Sequence, residues 1–196
     1  MSKEDWAENT VQKIFQRANL WPWKDDEIET ILDAACGLSL KSKFIPAKIR
    51  VGIDIYPEYF KHIEATVPYV VMKGDIRKLR EYFEPKSFDL VLVLDVVEHL
   101  VKEESLDMLR QAEEIAKKAV IIETPRGFLP TNMDILGHGG HDVQTHRSGW
   151  EPEEFEELGY KTVVRDYTLT NVQRHTEITD IDPHIQMIDA IKILDR

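Results

Sequence analysis

The stretch Phe88 to Leu94 (FDLVLVL) constrains the fold more than any other part of this chain. It is a nearly continuous run of β-branched residues and leucines, the pattern of a strand buried on both faces, which is the usual state of a central strand in a parallel sheet. An acid, Asp95, ends it. Around this run, strands and helices alternate. Glu29 to Asp33 (ETILD) reads as a first strand, Ile49 to Ile55 as a second, Tyr69 to Met72 as a third and Ala119 to Glu123 (AVIIE) as a fifth. Pro57 suits the first turn of a helix running to about Ala65, and Leu106, Leu109 and Ile115 mark another reaching about Lys118. Such alternation predicts right-handed βαβ units.

Pro152 starts a helix to about Leu158, capped by Gly159. Lys161 to Leu169 and roughly Ile185 to Leu194 read as two last strands forming a hairpin. The expected fold is therefore α/β: a Rossmann-like, doubly wound, mostly parallel seven-stranded sheet with the last strand antiparallel. Ahead of it, Trp6, Val11, Ile14, Phe15 and Ala18 fall at helical spacing, so Asp5 to Ala18 reads as an amphipathic helix, broken by Trp21, Pro22 and Trp23.

A chain of 196 residues without repeats or a linker rich in Gly, Ser or Pro reads as one domain. Within it we expect an N-terminal helical cap (1–24), a ligand-binding core (29–124), a loop on the substrate side (125–150) and a C-terminal helix and hairpin (151–196). The longest apolar stretch, Leu90 to Leu94, is far short of the roughly 20 residues of a bilayer span, which excludes a membrane helix. The first residues are acidic where an export signal would be basic, so a cytoplasmic protein is expected. A single cysteine, Cys36, excludes an internal disulfide and a multi-cysteine zinc site. The net charge of −11 opposes broad contact with a phosphate backbone, so a small molecule is the expected partner. Lys41, Lys43, Lys48 and Arg50 form a basic island that could touch nucleic acid or be a solvated face.

Acids stand at four predicted strand ends: Asp33, Asp54, Asp75 and Asp95. In an open parallel sheet, ligands bind beyond the carboxyl ends of the strands, and a carboxylate after the second strand can accept from both ribose hydroxyls of a nucleoside. Any one of the four alone would read as an ordinary turn acid. Their recurrence in register points to a ligand.

The phrases Ile31 to Ser39 (ILDAACGLS), Val51 to Ile55 (VGIDI), Lys73 to Ile76 (KGDI) and Phe88 to Leu100 (FDLVLVLDVVEHL) resemble the successive motifs of class I S-adenosylmethionine-dependent methyltransferases. His146 to Trp150 (HRSGW) and the helix after it resemble small archaeal and bacterial members. That resemblance implies S-adenosyl-L-methionine as cofactor. It sets Asp33 near the methionine amino group, Gly37 where the backbone passes close to the cofactor, Asp54 on the ribose diol and Asp75 on the adenine amino group. The Ile76 backbone would lie beside the ring, and Ile55 and Tyr56 would flank it. The family's first motif is commonly LDxGCGxG; here Ala35 and Ser39 replace two of its glycines. Both are small enough for close approach, but a positive φ there would be strained.

Asp95, Glu98 and His99 follow the central strand, where methyl group and acceptor would meet. A sulfonium methyl is already activated, so transfer is a direct displacement governed by alignment. His99 has the intrinsic pKa of a base for acceptors that must lose a proton, with Glu98 beside it. Equally, the two could simply open the next helix. The loop after the fifth strand adds Arg126, His138, His141, His146 and Arg147. A metal site joining Asp95, Glu98 and His99 to loop histidines is conceivable, and small-RNA 2′-O-methyltransferases use an acid, Glu, His constellation after this strand. A polar substrate loop without a metal is the simpler reading. Three functions follow in order: methyl transfer to a small molecule, metal-dependent RNA 2′-O-methylation, and a non-catalytic binding module.

Overall fold

A computed structural model describes residues 10–64, 68–131, 136–168 and 184–194. Its sheet has seven strands: β1 (Thr30–Ala34), β2 (Ile49–Asp54), β3 (Tyr69–Lys73), β4 (Phe88–Leu94), β5 (Ala116–Pro125), β6 (Lys161–Thr168) and β7 (His184–Ile193). They lie in the order β3-β2-β1-β4-β5-β7-β6. The first five pair in parallel, and β7 runs antiparallel to both its neighbours. Strand order reverses between β1 and β4. The connections leaving these two strands diverge, which opens a crevice beyond their carboxyl ends.

β4 is buried from Phe88 through Val93, as its composition requires of a strand covered on both sides. One face of the sheet presents Leu32, Val91, Val93, Val120 and Ile122 to α3 (Lys102–Ile115), which answers with Met108, Leu109, Ala112 and Ile115. The other presents Ile31, Leu90, Leu92, Ala119 and Ile121 to Val11 and Phe15 of α1 (Val11–Arg17) and to Trp21. The period of two along each strand sorts these residues onto the two faces. Each such aliphatic or phenyl side chain contributes about 1.5–3 kcal/mol when fully buried. Short helices complete the chain: α2 (Leu79–Tyr82), α4 (His141–Gln144) and α5 (Pro152–Glu157).

Local chemistry sets the ends of these helices. Thr10 caps α1 by accepting from the Lys13 amide, while Trp6 lies outside the described residues. Pro152 and the Glu151–Glu154 capping box start α5, and Gly159, at φ +87°, follows its end. Most strand ends shift by one to three residues from the sequence reading, and two helices depart from it in kind or extent. The expected helix after Pro57 is a 3-10 segment, Pro57–His62, and Ala65 lies outside the described residues. α3 stops at Ile115 rather than Lys118, because Ala116 already pairs with Phe88 and the chain enters β5 without a loop. Strand pairing there overrides the helical propensity of Ala116 to Lys118.

Candidate functional site

The turn after β1 forms the floor of the crevice. Ala35, Gly37 and Ser39 have φ of +54°, +48° and +54°, so the backbone turns left-handed at all three motif positions although only one is glycine. Non-glycine residues cost about 1–2 kcal/mol in this region. Asp54, at the end of β2, braces the turn: its Oδ2 accepts from the Gly37 amide at 2.8 Å and its Oδ1 from the Tyr56 amide at 2.8 Å. Burial pushes its carboxyl up, against the pull of these amides. β2 can bring Asp54 this close only because residue 52 is glycine. A Cβ there would lie 2.5 Å from the Tyr69 hydroxyl and 2.8 Å from Cys36 Sγ.

A cavity of about 300 Å³ opens above this turn. Ala35, Gly37, Asp54, Ile55, Asp75, Ile76 and Asp95 line it, as the motif reading expects. Asp33 does not. It is buried behind the turn, where its Oδ2 accepts from the hydroxyls of Ser39, Ser42 and Tyr69. Burial raises its pKa to about 6, with the hydroxyl hydrogen bonds opposing. Three of the four strand-end acids thus converge on the cavity, and the fourth supports the floor. Asp75 is not a bare acceptor, since Arg77 chelates it through Nε at 2.9 and 3.0 Å and Nη2 at 2.6 Å and holds its carboxyl below the ordinary range. Cys36 is a buried filler whose thiol is pushed up by burial and by the Asp33 and Asp54 charges, which leaves it inert as a nucleophile.

The far wall comes from the segment after β5. Gly127 donates to the Trp150 carbonyl at 2.7 Å, and Gly149 lies so near Phe128 that a Cβ would meet its amide nitrogen at 2.5 Å. The amides of Arg147 and Ser148 both donate to the Glu98 carbonyl, at 2.7 and 3.1 Å, and Ser148 Oγ donates to the Val97 carbonyl at 3.0 Å. Trp150 Nε1 in turn donates to Ser148 Oγ. The phrase HRSGW is therefore a clasp that fastens this segment to the turn after β4. Arg147 lines the cavity but spends its guanidinium on the carbonyls of His99, Thr145 and Asp142.

Clasping brings His146 to His99, with ring centroids 4.8 Å apart. Glu98 is buried beside them and accepts from Thr124 Oγ1 at 2.8 Å; burial and the Asp95 charge raise its pKa to about 8. Burial, then the neighbouring His99, pushes His146 down to about 4. The remaining loop residues lie elsewhere. Arg126 is exposed and pairs with Glu151 and Gln186, outside the cavity wall. His138 stacks on His62 at 3.9 Å, also away from the wall. The side chain of His141 is outside the described residues. Sequence reasoning missed Tyr59, Gln144, Val143 and Leu136, which close the cavity from above. No local pattern marks them, and only the fold brings the 3-10 segment and α4 together, with Gln144 Nε2 donating to the Tyr59 hydroxyl at 2.6 Å.

Of the basic island, Lys41 and Arg50 are spent inside the fold, while Lys43 and Lys48 pair with exposed acids. Lys41 pairs with Asp95 and Glu123, Lys43 with Glu64 at 3.6 Å and Lys48 with Glu29 at 2.6 Å. Arg50, only 2% exposed, donates to the carbonyls of Ser42 and Ile45.

A crevice at a strand-order switch, floored by a left-handed turn and walled by strand-end carboxylates, defines a Rossmann-like nucleoside-binding fold. A methyltransferase-domain family model matches residues 32–122. Among solved structures, an S-adenosylmethionine-dependent methyltransferase from Archaeoglobus fulgidus is similar at 20% identity over 96% of this chain and 97% of that one, with a TM-score of 0.55. A second from Methanosarcina mazei is 13% identical over 86% and 94%, at a TM-score of 0.58. Magnesium protoporphyrin IX methyltransferase from Synechocystis, with bound S-adenosylhomocysteine, is 16% identical over 96% and 86%, at a TM-score of 0.52. No curated protein matches in sequence. The family-model match and the shared fold support a class I S-adenosylmethionine-dependent methyltransferase. Among its described residues, no helix is long and apolar enough to cross a membrane.

Proposed function

We propose that this protein transfers the methyl group of S-adenosyl-L-methionine to a small-molecule acceptor in the cytoplasm, with residues 29–124 holding the cofactor and 125–150 forming the acceptor side. The observation that carries the reading is the convergence of Asp54, Asp75 and Asp95 on one cavity above the Gly37 turn. Its volume of about 300 Å³ is in the range of small-ligand sites. Asp54 lines the cavity with one carboxylate oxygen held by the Gly37 amide and the other by the Tyr56 amide, a fixed two-oxygen acceptor that suits the two hydroxyls of a ribose. Asp75 and the Ile76 backbone stand where an adenine edge would be read, and Ile55 offers an exposed apolar surface for its face. Asp33 shapes the turn below the methionine end.

The cofactor supplies an activated methyl group. The protein's task is to align the acceptor behind it and to exclude water. His99 reaches the cavity with a buried, unpartnered Nδ1, which can take a proton from an acceptor that must lose one. Burial of Lys41 and Arg50 inside the fold, with acids beside Lys43 and Lys48, supports a small acceptor over RNA. The reading is tested by calorimetry with S-adenosylmethionine and S-adenosylhomocysteine. Saturable binding at micromolar concentration is expected, and absence of binding at millimolar ligand overturns it in favour of a non-catalytic module.

A further inference from the structure

Leu136 reaches down onto the floor of the cavity. A Cβ built on Gly37 would meet Leu136 Cδ1 at 3.6 Å, and Leu136 lines the cavity together with Val143. The proposed function needs that same space, because Gly37 is where the cofactor would pass close to the backbone. A close-packed site cannot hold both.

The segment that carries Leu136 is fixed at its base. The His146 amide donates to the Thr131 carbonyl at 3.1 Å, and the clasp onto Glu98 follows directly. Nearer the cavity it changes character. Gly137, Gly139 and Gly140 fall within four residues, and the first two have φ of +73° and +91°. A Cβ on Gly137 would meet nothing within 4 Å, so packing does not demand glycine there, whereas a left-handed bend favours it. Gly137, Gly139 and Asp142 are exposed, and α4 has only four residues. Exposed backbone and short hydrogen-bonded stretches mark a region that opens at low cost.

Two tyrosines give this segment a seat. Tyr56 Oη donates to the His138 carbonyl at 2.9 Å, and the Tyr59 hydroxyl accepts from Gln144 Nε2. The fit is close: a Cβ on Gly139 would lie 2.9 Å from the Tyr56 hydroxyl, and one on Gly140 only 1.9 Å from that of Tyr59. Tyr56 also joins the seat to the site below, since its amide donates to Asp54 Oδ1.

We propose that residues 136–145 form a lid seated on Tyr56 and Tyr59, and that Leu136 is a plug which the cofactor displaces from Gly37. Observed affinity is then the ligand's intrinsic affinity reduced by the cost of lifting the plug, so shortening Leu136 tightens binding. The identity of the ligand rests on the methyltransferase reading; the lid itself does not. The opposite role, a wall that packs on bound cofactor, requires weaker binding when Leu136 is shortened.

The test joins calorimetry with S-adenosylhomocysteine to amide hydrogen exchange on protein without ligand. Leu136→Ala should bind at least about threefold more tightly than the parent, with an unchanged circular dichroism spectrum. Gly140→Ala drives a methyl group against the Tyr59 hydroxyl and unseats the lid. Amides of 136–145 should then exchange at least about tenfold faster, while those of β4 and β5 keep their protection. Unchanged exchange in folded Gly140→Ala overturns the lid. A parent that binds, with Leu136→Ala no tighter, overturns the plug. If neither protein binds at millimolar ligand while Gly140→Ala exchanges as expected, the methyltransferase reading falls together with the plug, and only the lid stands.

Discussion

Glu123 and Thr124 are neighbours on β5, yet alternation sends their side chains into two polar clusters on opposite faces of the sheet. On one face, Lys41 bridges Asp95 and Glu123, Glu123 accepts from Arg165 at 2.7 Å, and Arg165 Nε donates to Asp189 at 2.6 Å. Each formal charge there has an opposite partner. On the other, Thr124 holds Glu98 beside His99 and His146, and the His99 Nδ1 is buried without a partner. Both clusters carry the desolvation cost of buried polar groups. The first recovers it in pairing, whereas the second leaves the His99 Nδ1 unpaired. Similar burial with different satisfaction of the polar groups separates the two clusters.

The largest effect should come from breaking the paired cluster. Arg165→Met strands Asp189 in the sheet and leaves Glu123 to Lys41 alone, and a loss of about 3–5 kcal/mol in urea unfolding is expected. A loss below about 1 kcal/mol would show that the network is not the support described here.

Next comes the pH dependence of that cluster. Burial, then the Glu123 charge, raises Asp189 to about 7 from an ordinary 3.8. Between those values the folded chain keeps a proton that the unfolded chain releases, so this group's contribution to stability falls as pH rises from about 4 to about 7. For Glu123, burial pushes up but Lys41 and Arg165 pull the carboxyl below its ordinary value, so it acts with opposite sign and only at pH below about 4.5. Asp189→Asn should flatten stability against pH over that upper window. Thermal melts at half-unit pH steps measure it, and an unaltered slope contradicts the assignment.

At the cavity, Asp54→Ala should weaken S-adenosylmethionine binding by about 1–3 kcal/mol, the loss of a charged acceptor, as read by calorimetry on folded protein. Unchanged affinity removes Asp54 from the ribose. The smallest effect sharpens the contrast between the clusters: Glu98→Gln, in the unsatisfied one, should change unfolding free energy by no more than about 1 kcal/mol. Its amide oxygen can still accept from Thr124, and it replaces a carboxyl that burial and the Asp95 charge already keep mostly protonated near neutral pH. A loss as large as that of Arg165→Met would make both clusters structural.

Much of this architecture was legible without coordinates. FDLVLVL announced a strand with no exposed face, and its limits hold to the residue. The acids after β2, β3 and β4 were visible because a turn residue directly after a strand sits at the sheet's carboxyl edge whatever the rest of the chain does. Asp33 was read equally well as a strand end but faces Ser39, Ser42 and Tyr69, because the left-handed turn carries the chain over it and Tyr69 closes in from β3. The loop histidines were seen as a group, yet His146 stands against His99 while His138 stacks on His62.

The sequence by itself determined the periodicities, and through them the strands, the faces and the edge at which ligands gather, since these depend on residues a few positions apart. Tertiary structure alone decided which charges were spent and which were left bare. Lys41 meets Glu123 across 82 residues and His146 meets His99 across 47, and hydrogen-bond and charge satisfaction at such separations depends on how strands and clasped loops pack in space, not on spacing along the chain.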